Sequence, residues 1–365
     1  MEIYICSTVR HLLFGLYKSL NSDSKAISKI IFFHDYQGID PEEINPELLP
    51  ENIELILISR KSFVKYIKSN GFFGKRILFF ALRSWSISGK SKLRLARLMS
   101  EYNPQLNLTS EIKKLYLYND NNKMSRLFRL LSPYYSMVED GMGNYVEHKI
   151  DSKFKQFVRY LTKKTPKKYV FGEQKQCNTI YAIHPEKLPN LVKHKGKKLV
   201  LSKNETVTKV IKSCFRLNES SRLDKKSIII ATQPTFNKIK GKLIDKRFFY
   251  NIYDSIIQHS KVVGLNPVLK LHPKENEIEY LSFKEQGIKF LSSKLPLEIY
   301  LLSSTEKINI ISINSSAGIG MEEYCNIYKI IPDEELDNFV DILCHIEKDK
   351  DSLQESISIQ LSKIS

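Results

Sequence analysis

A glutamate and an aspartate stand side by side in SMVEDGMGNY, residues 136–145. At the end of an apolar, β-rich run such a carboxylate can take a proton from a hydroxyl, given surroundings that raise its pKa. Gly141 and Gly143 behind the pair let the backbone turn sharply and leave room for a sugar. A polar turn with an acidic cap has the same composition, so Glu139 and Asp140 need partners. The second half offers two. KLHPKE closes an apolar run with His272 and Pro273, flanked by Lys270 and Lys274. An imidazole there can donate a proton to a leaving phosphate or stabilise its charge, with the proline stiffening its position. INSSAGIG carries Asn314, Ser315 and Ser316 after another such run. The pattern predicts a helix starting at once, whose free N–H groups and two serine hydroxyls would hold a phosphate; the plainer reading is a serine cap.

Those groups act together only if the elements behind them bring strand ends to a common edge. EIYICST, KIIFFHDY and IELILIS read as buried strands, and RHLLFGLYKSL as a helix after the first. KKLYLYND, a helical stretch from Lys123 to Leu131 and YYSMVEDG continue the alternation. KSIIIATQP, a helix ending near Gly264, NPVLKLHPKE and INIISINSSAGIG repeat it, and Glu334 to Ser365 reads as a helical tail. Alternating strands and helices predict parallel α/β sheets, which bind ligands at the carboxyl ends of their strands. The expected architecture is two Rossmann-like doubly wound domains facing a central cleft. The boundary is placed near residue 165, in the lysine-rich stretch 149–203, giving domains 1–165 and 166–365. His11, Thr232 and Gln233 fall at strand-to-helix turns and join Asp140 and Gly141 as acceptor-side candidates.

The net charge of +17 asks for an anionic partner: nucleic acid, a phosphate-bearing substrate or an acidic membrane. Five scattered cysteines, none spaced C-x-x-C, argue against a disulfide framework or structural zinc and for a reducing compartment. The opening lacks a basic region before its apolar stretch, and no apolar run reaches 18 residues, so neither a signal peptide nor a spanning helix is expected. SGKS lacks the P-loop's first glycine, Ser84 standing there; GMG and GIG lack the third glycine of a dinucleotide fingerprint, at Val146 and Glu323. Residues 72–98 carry seven Lys and Arg, four Phe and Trp85, and no acid, the profile of a segment lying on an anionic bilayer; a helix with an aromatic core side is the alternative.

In their order, Glu139-Asp140-Gly141, His272-Pro273 and Ser315-Ser316 resemble the motifs of bacterial sialyltransferases. The opening IYICSTVRHLLFGLY is similar to that of the lipooligosaccharide sialyltransferases, glycosyltransferase family 52, with the polysialyltransferases next. The resemblance implies a GT-B fold and an inverting transfer from CMP-sialic acid. The first domain would be the acceptor side and the second would bind the nucleotide sugar. Glu139 would be the base, His272 the acid on the CMP phosphate, and Pro273, Ser315 and Ser316 would lie at that phosphate. Glu298, 17 residues before Ser315, matches a glutamate that holds the cytidine ribose in related enzymes. CMP leaves with one phosphate, which hydroxyls and an imidazole can neutralise, so no cofactor or metal is expected; the lone Asp-x-Asp, Asp349 to Asp351, falls in the helical tail.

The acceptor would be a cell-surface glycan (lipooligosaccharide, O-antigen or capsule), handled while lipid-linked at the inner face of the cytoplasmic membrane, and a homodimer is compatible with this. Another CMP-activated nonulosonic acid, or another GT-B sugar transfer, satisfies the same motifs. A basic module binding nucleic acid would explain the charge but not the ordered series, and no such motif is present; no nucleic-acid partner is expected.

Overall fold

EIYIC is apolar on both faces, as a strand covered by helices on each side must be. It forms β1 (Glu2–Cys6), buried along its whole length, at the middle of a parallel sheet. The computed structural model describes every residue except 23–25, 162–163, 202–203, 218–222, 234–237, 240–241, 244–245, 274, 316, 333–341, 344–348 and 365. Two compact units divide between Arg216 and Leu217.

In the first unit β2 (Ser28–Phe33) and β3 (Ile53–Ile58) extend one side of β1. On the other side lie β4 (Lys114–Leu117) and β5 (Tyr135–Val138). Past a two-stranded ribbon, β6 (His148–Lys149) with β7 (Lys168–Tyr169), the sheet ends in β8 (Cys177–Ala182) and β9 (Gly196–Lys198), for an order β3-β2-β1-β4-β5-β8-β9. The boundary near residue 165 is therefore corrected. The lysine-rich stretch reads as a linker by composition, but CNTIYA pairs with β5 and GKK makes the exposed edge, where lysines are tolerated. Helices α1 (Val9–Leu20), α2 (Arg60–Ser69), α3 (Gly71–Arg83), α4 (Gly89–Tyr102), α5 (Lys123–Phe128), α6 (Lys153–Leu161), α7 (Asn190–Lys193) and α8 (Glu205–Cys214) complete the described part of this unit.

The second unit repeats the plan. Its central strand is β10 (Ser227–Ala231), followed by the short pair β11 (Lys238–Ile239) and β12 (Lys242–Leu243) and by helix α9 (Lys246–Val262). β13 (Asn266–Lys270) and β14 (Lys289–Leu291) lie to one side, β15 (Ile308–Ser312) and β16 (Cys325–Lys329) to the other. Helices α10 (Leu281–Glu285) and α11 (Leu297–Ser303) and a C-terminal helix, Lys350–Ser362, pack around them. Gly264, at φ +78°, ends the α9 region as expected. Of the expected helical tail, most of 334–348 lies outside the described residues. Asp349 caps the C-terminal helix rather than lying within it.

Both units are doubly wound, and in each the chain order reverses beside the central strand: between β1 and β4, and between β10 and β15. A crevice opens at the carboxyl end of such a reversal. Four described cysteines, Cys6, Cys177, Cys214 and Cys325, are buried free thiols.

Candidate active site

The first unit's crevice holds the acid pair. β1 ends at Cys6, Thr8 caps α1, and the first turn of that helix carries Arg10 and His11. His11 thus lies inside the helix, one step past the turn expected. Its ring stacks on Tyr118, just beyond β4, with centroids 4.3 Å apart. Nδ1 accepts the Ser7 amide at 3.2 Å, which leaves the proton on Nε2, and Nε2 bonds to the Asp140 carboxylate. Burial would push that carboxyl up, but His11, then Arg10 and the Asn119 amide, hold it below its ordinary value.

Glu139 is the more buried acid, 3% exposed. Its amide extends the ladder to Tyr181 at 2.9 Å, fixing the side chain's direction. One carboxylate oxygen accepts the Ile183 amide at 2.8 Å and the Tyr145 hydroxyl. The other meets only Arg10 among the bonds described, at a long 3.4 Å, and the Arg10 side chain is 23% exposed. Gly141 turns the chain at φ +130°, and a Cβ there would come within 2.5 Å of Arg10 Nη1. Asn144 closes the turn by accepting the Asp140 amide at 2.8 Å. Arg10, Asn119, Asn144 and Tyr145 were not singled out in the sequence. Only Arg10 gave a signal, as a cation beside a candidate histidine.

In the second unit Thr232 and Gln233 follow β10, His272 follows β13 by two residues, and Asn314 and Ser315 follow β15. These strands are neighbours, so the expected strand-end residues share one edge. The His272 amide donates to the Thr232 hydroxyl at 3.0 Å and to Glu275 at 2.9 Å, and Thr232 itself bonds Glu275. Glu275 also accepts the Tyr280 hydroxyl at 2.6 Å. It is the fastener of the His-Pro turn, and sequence reading passed over it. Gln233 accepts the Asn314 amide at 3.3 Å, bridging the chain reversal.

Lys270, 7% exposed, ends β13. Burial pulls its ammonium down to about 8, against the opposing pull of Glu298 in the first turn of α11. Lys270 and Glu298 therefore belong to the same neighbourhood. Among the described residues no helix starts at Ser315. Its hydroxyl accepts the Ala317 amide at 3.2 Å, and turns run on to Tyr324 through Gly318 and Gly320, both at positive φ. A Cβ on Gly318 would lie 2.8 Å from Ile310. A phosphate here would meet turn amides and the Ser315 hydroxyl, not a helix end. Ser316 and Lys274 lie outside the described residues, and Pro273 occupies the turn after His272. Among the described residues no three His, Cys, Asp or Glu side chains gather as a metal site would require.

Among solved structures the chain is similar to the α/β-galactoside α-2,3-sialyltransferase of a luminous marine bacterium, Photobacterium phosphoreum. The match covers 95% of each chain at 13% identity, with a TM-score of 0.51. It is also similar to the UDP-GlcNAc 2-epimerase of Methanocaldococcus jannaschii, over 99% of this chain and 93% of that one, at 12% identity and a TM-score of 0.42. The first likeness fixes the fold as GT-B. A search of curated proteins found no match. The sequence profile of glycosyltransferase family 52 matches residues 81–332, well over half of the chain. That span takes in the acid pair, the His-Pro turn and the two serines, and on it the chain belongs to glycosyltransferase family 52.

Proposed function

We propose that the chain is an inverting sialyltransferase that moves sialic acid from CMP-sialic acid to a glycan hydroxyl. The observation that carries this is the placing of both candidate groups. The acid pair and the His-Pro turn each stand at the carboxyl edge of a doubly wound sheet, after a strand that neighbours one of the two flanking its chain reversal.

In the proposed reaction the acceptor oxygen forms a bond to the donor's anomeric carbon as the bond from that carbon to the CMP phosphate oxygen breaks. The hydroxyl proton passes to Glu139. Of the pair, Asp140 is held low by its partners and is the poorer base. Among the described residues one Glu139 oxygen is held only by a long contact to a part-exposed arginine, and an acceptor hydroxyl would displace that contact. His272 gives a proton or a hydrogen bond to the departing phosphate. Lys270 adds a cation beside Glu298, which would hold the ribose. Ser315 and Ser316 would complete the phosphate's neighbours.

The acceptor would be a lipid-linked glycan of the cell surface, met at the inner face of the cytoplasmic membrane with residues 72–98 as the contact. No helix among the described residues is long and apolar enough to cross a membrane, so such contact would be peripheral. Turnover of CMP-Neu5Ac against galactoside and sialoside acceptors tests the donor. Transfer from UDP-sugars and none from CMP-sialic acid would refute the reading. Liposome binding that survives charge reversal of Lys90, Lys92, Arg94 and Arg97 would refute residues 72–98 as the contact.

A further inference from the structure

An amphipathic helix normally turns its apolar face to the protein. Helix α6 does the reverse. Phe154, Phe157 and Leu161 follow one another at helical spacing and are 68%, 58% and 63% exposed, with Tyr160 at 69% beside them. The polar side is the anchored one. Arg159 grips Glu173 through two bonds of 2.6 and 2.9 Å, and Gln156 donates to the Ile150 carbonyl. Helix α3 and the turn after it expose a second apolar set: Phe72, Phe79, Leu82 and Trp85. Arg76 and Arg83 lie over Phe80 and Phe79.

A cavity of about 190 Å³ opens beside Trp85. Its wall includes Lys92, Arg126, Arg129, Ser132 and Gln176, and no carboxylate. Arg129 is only 6% exposed, and the Nε of Arg126 and of Arg129 are buried without a hydrogen-bond partner among the described residues. Asp120 offsets part of the Arg129 charge, but its carboxylate is engaged by the Tyr135 hydroxyl and the Gly172 amide. One wall residue of the cavity is close in sequence to the anchorage of α6. Gln176 is three residues from Glu173, and Gln174 between them accepts Lys164 at 2.7 Å.

We propose that this cavity takes the phosphate of an anionic membrane lipid, with the outward faces of α3 and α6 entering the bilayer around it. The proposal deepens the membrane reading of residues 72–98 and rests on it. Charge selects the occupant. No acid occurs between Glu54 and Glu101, against eleven Lys and Arg, and none between Asp151 and Glu173, against seven. A surface that is both apolar and uniformly cationic suits an anionic interface better than a second, equally cationic copy of the chain.

Co-sedimentation of the full chain with phosphatidylcholine vesicles, with and without phosphatidylglycerol, tests this. Wild type is expected to bind only the anionic vesicles. Phe154→Ser with Phe157→Ser and Leu161→Ser should weaken that binding by roughly tenfold or more. Arg126→Gln should do the same. Because Arg126 also holds the Leu82 carbonyl, the half-buried Lys92→Glu serves as a second cavity variant less prone to misfold, with a loss of about tenfold. All three should keep the thermal stabilisation given by CMP. Wild type ignoring anionic vesicles would end the membrane reading itself. Variants binding as wild type would end only the present inference. Inorganic phosphate displacing the vesicles completely, or the triple serine variant losing self-association instead of vesicle binding, would each overturn the lipid assignment.

Discussion

Asp140 receives the Nε2 proton of His11, whose other nitrogen is taken by the Ser7 amide. The ring is thereby fixed in tautomer and orientation between the end of β1 and the acid pair. Replacing His11 by Ala strands a buried amide and a carboxylate, so a loss of roughly 1–3 kcal/mol is expected near neutral pH. Asp140 titrates below its ordinary value in the folded chain. Its extra stability is then complete above the unfolded carboxylate pKa and lost as pH falls through the folded one. The gap between wild type and His11→Ala in denaturant melts should narrow only on that acid side; a gap that widens there would contradict the assignment.

Glu139→Gln should lower kcat by about 10²–10⁴ with the fold intact, the range for removal of a general base. Asp140→Asn should act mainly through stability and acceptor KM. The reverse ranking in steady-state kinetics would move the base to Asp140. Tyr145→Phe removes one hydroxyl from Glu139 and from the His184 amide. A cost of about 1 kcal/mol in stability is expected.

Gly141→Ala tests the turn. At φ +130° an L side chain is strained, and its Cβ would push into Arg10. Thermal melts should show a loss of about 1–3 kcal/mol. Tolerance of alanine there would mean that Arg10 moves aside freely.

Lys270 is buried with its pKa drawn down to about 8. The unfolded chain keeps this proton to a higher pH, so wild type gains stability as pH rises from about 8 toward the unfolded lysine value. Lys270→Met should be the more stable protein below that window, by roughly 3 kcal/mol, with the difference closing across it. If the ammonium also meets the donor phosphate, CMP affinity should fall as pH climbs past about 8 in wild type and stay flat in the variant. Calorimetric titration across pH reads this directly.

The strands read from the sequence were legible because each is a short, largely apolar run, and the candidate residues were legible because they follow those runs. Glu139, His272 and Thr232 needed only that logic. Glu275 did not show, since its work is to join two loop segments 43 residues apart, a relation made by the pairing of β10 with β13. The helix read after Ser315 fails because Gly318 and Gly320 adopt left-handed backbone. Composition hid β8 and β9, which lie in the lysine-rich stretch; the lysines of β9, Lys197 and Lys198, sit at the sheet's edge. Helix α6 shows a period but not a direction: spacing says that Phe154, Phe157 and Leu161 share a face, and only the Arg159–Glu173 clamp says which way it looks.

Burial pushes the thiols of Cys177, Cys214 and Cys325 up to about 12 and that of Cys6 higher still. Such sulfurs stay protonated and shielded from maleimides in the native state. With Cys344 replaced by serine, one engineered surface cysteine on each unit could carry a spin label without background. Distances between such labels, read with and without nucleotide, would reveal whether the two sheets draw together around a donor.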